Sequence, residues 1–355
     1  MPSIRIVDPL KHPGWDELVL SFGGYSFFHS RAWAEVLSLS YGYEPVYIWS
    51  FDGETLASVI PLMEVRSFLT GKRGVSLPFT DYCNPLTRSD ALVSQLFDQL
   101  IELGKERGWR YIEFRLNSFD SQATFHLDSY PSPLPSYASY VGHVIELNCD
   151  QEKMFQGFRD SVKRNVRKAK KQGVGARISD SLDALREFYG LHCLTRRDHG
   201  LPPQPWAFFE RVYEGIIHKG FGFVVLTYFE EQAISGAVFF HFGKKALYKY
   251  GASDRRYQQL RASNLVMWEA VKWFGERGYQ TLCLGRTDPE DEGLLQFKAG
   301  WRPSPCTIPY FRYDFEKGSF VSGSAKTSHF ETKVAKYLPL PILKVAGSLL
   351  YRHMA

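Results

Sequence analysis

Apolar positions along this chain alternate between period-two runs and stretches of helical spacing, and the order of these patterns is repeated in its two halves. In the first half an alternating run at 3–8 precedes helix openings at 13–20 and 30–37, the second with Ser30 as N-cap. Strands are predicted at 44–51 and 55–65, joined by the hairpin dipeptide Asp52-Gly53. A loop-rich segment, 71–85, leads to a helix at 90–107 and a strand at 111–116. A proline-spaced loop then precedes a strand at 143–147. In the second half, helices at 151–171, 182–195 and 206–218 come before strands at 222–229 and 233–242. The stretch 246–301 reads strand, polar loop (253–261), helix and strand (281–284), then a Gly/Asp/Pro loop before Leu294–Lys298. Leu265, Trp268, Val271, Trp273 and Phe274 give that helix its apolar spacing.

The repeat is visible in the letters. GKERGWRYIEFR (104–115) matches GERGYQTLCLGR (275–286), each a helix end, a glycine, an aromatic residue and a strand. The predicted class is α/β with mixed α+β sheets, in two copies of one unit, at 1–150 and 151–315. A last strand at 310–315 is followed by a Ser/Gly/Lys linker, and 316–355 ends in an amphipathic helix, with return of this segment to the first domain as one arrangement. Along 341–354, Ile342, Val345, Ala346 and Leu349 share a helical face opposite Lys344, Ser348 and Arg352. Two readings stand: docking on the protein itself, or shallow contact with an anionic membrane surface.

A length of 355 residues allows two separate cores, and a net charge of +5 favours anionic partners without naming one. The five cysteines are scattered, with no C-x-x-C pair, which argues against disulfides and zinc and for a cytoplasmic setting. The N-terminus lacks a signal-peptide pattern, and no run of 18 apolar residues occurs.

The candidate chemistry is mostly cationic. Between Arg159 and Arg177 stand eight Lys/Arg against one acid, around a stripe of Phe155, Phe158, Val162, Val166 and Ala169. Such a run is either a solvated face or a guide for a polyanion through Lys163, Arg164, Arg167 and Lys168. Without interleaved aromatics it does not suit base stacking, and DNA is not an expected partner. The loop 253–261 sits between a strand and a helix, where Arg255, Arg256 and Arg261 can bind phosphate through side chains. Lys298, between Phe297 and Ala299-Gly300-Trp301, is the first candidate for stabilising an oxyanion, with Tyr250 beside it and Asp288 or a nearby water as proton acceptor. Phe297, Arg286, Tyr248, Arg197, His199, Asp81 and Tyr82 complete a candidate substrate-binding set. No Ser-His-Asp spacing or H-x-x-x-H pattern stands out, which disfavours hydrolase and metal readings.

Five motifs carry a resemblance: Phe28-His-Ser-x-x-Trp33, the run Ser161-Val-Lys-Arg-Asn-Val-Arg-Lys-Ala-Lys-Lys-Gln-Gly173, Tyr248-Lys-Tyr250-Gly-Ala-Ser253, Ser263-Asn264-x-x-x-Trp268 and Gly293-Leu-x-x-Phe297-Lys298. Over about residues 25–315 the chain resembles the Fem family of peptidoglycan aminoacyltransferases and their Fem-like N-acyltransferase relatives. The resemblance implies two tandem GNAT-like domains and metal-free acyl transfer to an amine without a covalent enzyme intermediate. It implies that Lys298 serves the charged donor or the transition state, that Phe297 shapes its channel, and that Trp33 belongs to the substrate side. No bound cofactor is expected; the donor is either aminoacyl-tRNA or acyl-CoA, and the acceptor a small or lipid-linked envelope precursor.

The departures concern charge. Members that use a UDP-linked muropeptide carry a lysine where this chain has Glu35 and an arginine where it has Gln204, before Pro205. The turn after the last site strand is Leu284-Gly-Arg-Thr287, and the polar loop lacks the glycines with which acyl-CoA N-acyltransferases wrap a pyrophosphate. The resemblance therefore leans toward relatives in polysaccharide or envelope biosynthesis. Acetyl-CoA-dependent acetyl transfer, and a non-catalytic binding protein on a degenerate acyltransferase fold, remain as alternatives.

Overall fold

The computed structural model describes residues 3–52, 55–88, 91–117, 134–323 and 336–354; Gly53 of the expected hairpin turn and the later part of the expected linker, 324–328, lie outside them. In chain order come β1 (Ser3–Val7), α1 (Trp15–Leu20), α2 (Arg31–Tyr41), β2 (Glu44–Pro45), β3 (Tyr47–Asp52) and β4 (Thr55–Ile60). β5 (Met63–Ser67), β6 (Gly71–Val75), β7 (Leu86–Thr87), α3 (Ala91–Glu106), β8 (Tyr111–Arg115) and β9 (Ala138–Glu146) follow. Next are α4 (Gln151–Gly157), α5 (Asp160–Lys171), β10 (Gly175–Ser179), α6 (Leu182–Asp198) and α7 (Trp206–Val212). β11 (Gly222–Phe229), β12 (Gln232–Phe242), β13 (Lys245–Ser253), α8 (Ala262–Glu276) and β14 (Thr281–Thr287) lead to the closing elements. These are α9 (Glu292–Ala299), β15 (Ser304–Asp314), β16 (Ser319–Val321) and α10 (Leu340–Leu350).

The chain divides into two units. Unit 1 comprises Met1–Val141, Cys306–Thr327 and Tyr351–Ala355; unit 2 comprises Gly142–Pro305 and Ser328–Leu350. The chain thus leaves unit 1 inside β9 and returns with β15, where the hydrophobic pattern alone sets joints at 150 and 315. Strand pairing explains the return: β15 runs antiparallel to β8 from Tyr310–Arg115 to Asp314–Tyr111.

Unit 1 holds the antiparallel sheet β1-β3-β4-β7 and the strand set β15-β8-β6-β5-β2, with β6 and β8 parallel at Gly74–Ile112 and Val75–Glu113. Its core packs Leu96 and Leu100 of α3 with Ile48, Ile60, Trp109 and Phe114. Unit 2 holds β10-β11-β12-β13-β14, antiparallel until β13 and β14, which are parallel. Its core joins Leu265, Trp268, Val271 and Phe274 of α8 to Val162, Val166 and Ala169 of α5 and to Val225 and Phe239 of the sheet. The repeat in the letters is a repeat in conformation. Each unit ends a helix in a left-handed glycine, Gly108 (φ 67°) or Gly278 (φ 68°), and starts there a strand that pairs in parallel with an earlier one.

Two local expectations are corrected. The helix at 151–171 is broken, because Phe158 (ψ 162°) and Arg159 (ψ 149°) are extended. Phe158 leaves the helical path to bury its ring against Trp268 and Trp301, at centroid distances of 6.2 and 5.0 Å. The segment at 71–85 is not loop throughout, since β6 pairs with both β5 and β8.

Candidate active site

The parallel ladder between β13 and β14 is short. It runs from Lys245–Thr281 to Leu247–Cys283, although β13 continues to Ser253 and β14 to Thr287. Alongside the unshared part of β13, α9 brings in Leu294 and Phe297, and a cavity of about 190 Å³ opens. Tyr248, Gly251 and Ser253 of β13, Ser235 of β12, and Ser263 and Met267 of α8 also line it. Ser235 and Ser263 hydrogen-bond through their hydroxyls at 3.0 Å.

A β-bulge decides which tyrosine reaches this cavity. Phe239 pairs with Tyr248 and Val238 with Tyr250, leaving Lys249 as the extra residue. In a regular strand residues 248 and 250 share a face; here they do not. Tyr248 turns to Phe239 (5.5 Å between centroids) and its hydroxyl lies against Gly251. Tyr250 packs instead on Phe209 and His192, at 5.4 and 6.0 Å, on the side of α6 and α7. Tyr248 therefore lines this cavity, and Tyr250, the tyrosine expected beside Lys298, faces away from it. Burial pushes the Tyr248 phenol up to about 12, so it stays protonated at neutral pH.

Lys298 lies on α9, whose N-terminus is capped by Asp291 Oδ1 accepting from the Leu294 N–H at 3.0 Å. Only 3% exposed, Lys298 donates through Nζ to the carbonyls of Gly285 (3.2 Å) and Arg286 (2.9 Å) at the end of β14. Arg286 thus contributes its backbone. Asp288 Oδ1 accepts from the Glu290 N–H at 3.0 Å and shapes the turn after β14. His143 of β9, 4% exposed, lies within the field of Lys298: burial first, and then that ammonium, hold its pKa down at about 4, so the ring is neutral at pH 7. Sequence reasoning missed His143, which no motif links to Lys298 across the intervening chain.

A second cavity, of about 150 Å³, sits at the N-terminus of α8 and shares Ser253, Ser263 and Phe297 with the first. Arg261, in the left-handed region (φ 61°), lines it together with Gln258 and Asn264. The other two arginines of this loop are engaged. Arg256 grips Asp254 with Nε (3.0 Å) and Nη2 (2.6 Å), and Arg255 Nε faces Asp198 at 3.4 Å. Arg197 is in the last turn of α6 and His199 is its C-cap; burial, then Arg255, lowers the His199 pKa.

The remaining candidates lie elsewhere. Trp33, fully buried, packs on Phe27 and Phe28 in unit 1, where Tyr82 also meets Phe28 and the Asp81 carbonyl accepts from the Tyr310 hydroxyl. On α5, Lys163 pairs with Asp160 (3.0 Å) and Arg167 lies over the Phe155 ring (5.6 Å), while Arg164 and Lys168 are exposed. A larger depression of about 720 Å³ in unit 1, lined by Arg5, Asp98 and Glu102, holds none of the candidate residues. Among the described residues no helix is long and apolar enough to cross a membrane.

Residues 156–298 match the family described as acetyltransferase (GNAT) domain. No curated protein matches the chain in sequence. Among solved structures it is similar to FemX, at TM-score 0.69 and 16% identity over 89% of this chain and 98% of that one. It is also similar to the C-terminal DUF2156 domain of a putative lysylphosphatidylglycerol synthetase from Agrobacterium fabrum (TM-score 0.57, 11% identity, 98% of each chain). A tandem GNAT protein from the clavulanic acid biosynthesis pathway gives TM-score 0.54 at 9% identity, over 88% of this chain and 98% of that one. These likenesses show a GNAT-like fold. The chain carries a GNAT acetyltransferase domain and is an acyltransferase.

Proposed function

We propose that this protein moves an acyl or aminoacyl group onto an amine of a cell-envelope or polysaccharide precursor, with the donor held in unit 2 between β13 and α8. The cavity at the end of the parallel ladder carries this reading. An extended donor arm can bond along the unshared part of β13, as a peptide adds to a sheet edge, while its anionic end meets the N-terminus of α8 and Arg261. Unit 1 supports the choice of unit. There the end of the parallel ladder is filled by Arg115, which donates to the carbonyls of Leu77 and Thr80, both at 3.3 Å, and to Glu113.

In the step itself the amine nitrogen attacks the acyl carbonyl carbon, and the bond to sulfur or to the ribose oxygen breaks. The protonated Tyr248 hydroxyl donates to the leaving atom, and water near Asp288 takes the amine proton. The buried charge of Lys298 steadies the oxyanion through its field and fixes the end of β14. The likeness to FemX and the Fem-family motifs favour an envelope acceptor and an aminoacyl-tRNA donor. A second reading, acetyl transfer from acetyl-CoA, is favoured by the family match over 156–298. Either donor belongs to the cytoplasm, so the proposal carries a cytoplasmic setting.

Thermal-shift binding against coenzyme A, aminoacyl-tRNA and UDP-sugars in parallel tests the proposal, since a ligand that binds only the folded state raises Tm. Stabilisation by aminoacyl-tRNA alone supports the first reading, and by coenzyme A the second. No shift with either donor overturns the assignment of the donor cavity.

A further inference from the structure

α10 meets unit 2 by one narrow side. Leu343 is 2% exposed, and Gly347 lies so close to the Pro203 carbonyl that any side chain there would collide with it. Lys344 Nζ stands 5.4 Å over the Tyr189 ring of α6. The opposite side is apolar and bare: Ile342, Val345 and Leu349 are 53%, 60% and 65% exposed. The apolar face read from the sequence is thus not the docked one. Ala346 sits at its margin, half-buried, and the contacts that hold the helix use residues outside that stripe.

We propose that this face of α10 docks on the surface of an anionic lipid bilayer. Charge argues for a bilayer as occupant. After Glu331 the sequence carries Lys333, Lys336, Lys344 and Arg352 and no acid, so the segment that bears the bare apolar face is basic in composition. Anionic headgroups with acyl chains beneath them match both features at once. The fixed docking through Leu343 and Gly347 presents the helix already folded, so binding does not have to order it. With three large side chains and four charges the attachment is weak, reversible and sensitive to salt.

Co-sedimentation of the full chain with phosphatidylcholine vesicles, with and without phosphatidylglycerol, tests this apart from acyl transfer, because no acyl donor is present and the readout is sedimentation. The expected result is binding that strengthens about tenfold with phosphatidylglycerol, weakens as salt is raised, and falls about tenfold in the combined Ile342→Ser, Val345→Ser and Leu349→Ser variant. That variant should keep its melting temperature, because the three side chains are exposed. Should it unfold, the single exposed change Val345→Asp reads the same loss. Protein that stays in the supernatant, or variants that sediment like the parent, overturns the proposal. So does a dimer in light scattering that the variants abolish, which would give the face to a second copy of the chain.

Discussion

The hydroxyl of Tyr248 lies over the α-carbon of Gly251, in the space that a side chain at position 251 would occupy. The relationship is made by the bulge at Lys249, which turns Tyr248 into the cavity and Tyr250 out of it. Glycine is needed here for space, not for its backbone freedom. Gly251→Ala should push the ring out of the cavity, lower transfer sharply and destabilise the fold by about 1–3 kcal/mol, as overpacking does. A double-mutant cycle with Tyr248→Ala checks this. Once the ring is gone, alanine at 251 should be nearly neutral for stability, and additive effects would disprove the contact.

Lys298 is buried with its ammonium on two carbonyls, so its removal has a structural consequence as well as a chemical one. Lys298→Met keeps the volume of the stem but leaves the Gly285 and Arg286 carbonyls without that donor. Transfer should fall on the order of 100-fold or more. The melting temperature should fall too, because a buried acceptor that loses its donor costs about 1–3 kcal/mol. Single-turnover kinetics beside thermal melts separates the two effects, and retained turnover would remove Lys298 from the mechanism.

Much of this arrangement is legible in the sequence, because it depends on neighbours in the chain. Ser30 caps α2, accepting from the Trp33 N–H at 3.3 Å, and the matched strings 104–115 and 275–286 mark equivalent helix ends and strands. What resists reading depends on partners far away. The bulge at Lys249 is fixed by the register with β12, and the break at Phe158 by rings at 268 and 301. The position of β15 is fixed by β8. Charge is harder still. Arg256, a phosphate candidate by sequence, is committed to Asp254 two residues away, whereas Arg261 lines the cavity. Nothing in the letters separates the two.

Acid should loosen unit 2 before most carboxylates titrate. His143, His192 and His241 are held down at about 4, 3 and 4 by burial, with help from Lys298 at His143 and from Arg196 at His192. Their folded values lie below the unfolded value near 6.5, so protons bind the unfolded chain more readily. The stability that depends on their neutral forms is complete above pH 6.5 and is lost as pH falls from there toward 4. The melting temperature should drop across that window, by about 2–4 °C for each kcal/mol lost. His192→Leu, which removes a buried ring among Phe188, Tyr189 and Phe209, should flatten the dependence. A melting temperature independent of pH from 7.5 to 4.5 would contradict the assignment.

The charges of α5 distinguish the two donors. Lys163 is held by Asp160 and Lys170 by Glu269, whereas Arg164 and Lys168 are exposed on the side away from Val162, Val166 and Ala169. A polyanionic donor that crosses this face would lose counterions in proportion to the phosphates it contacts. The combined Arg164→Glu and Lys168→Glu variant should then reduce the slope of log K against log salt for aminoacyl-tRNA by about 1.4–1.8. Binding of coenzyme A, whose anionic end in this proposal meets the N-terminus of α8 and Arg261 rather than α5, should be unchanged. Filter binding at four or five salt concentrations measures the slope. An unaltered slope with aminoacyl-tRNA would make the basic run of α5 a solvated face and return the recognition of any anionic donor to Arg261 and the helix end.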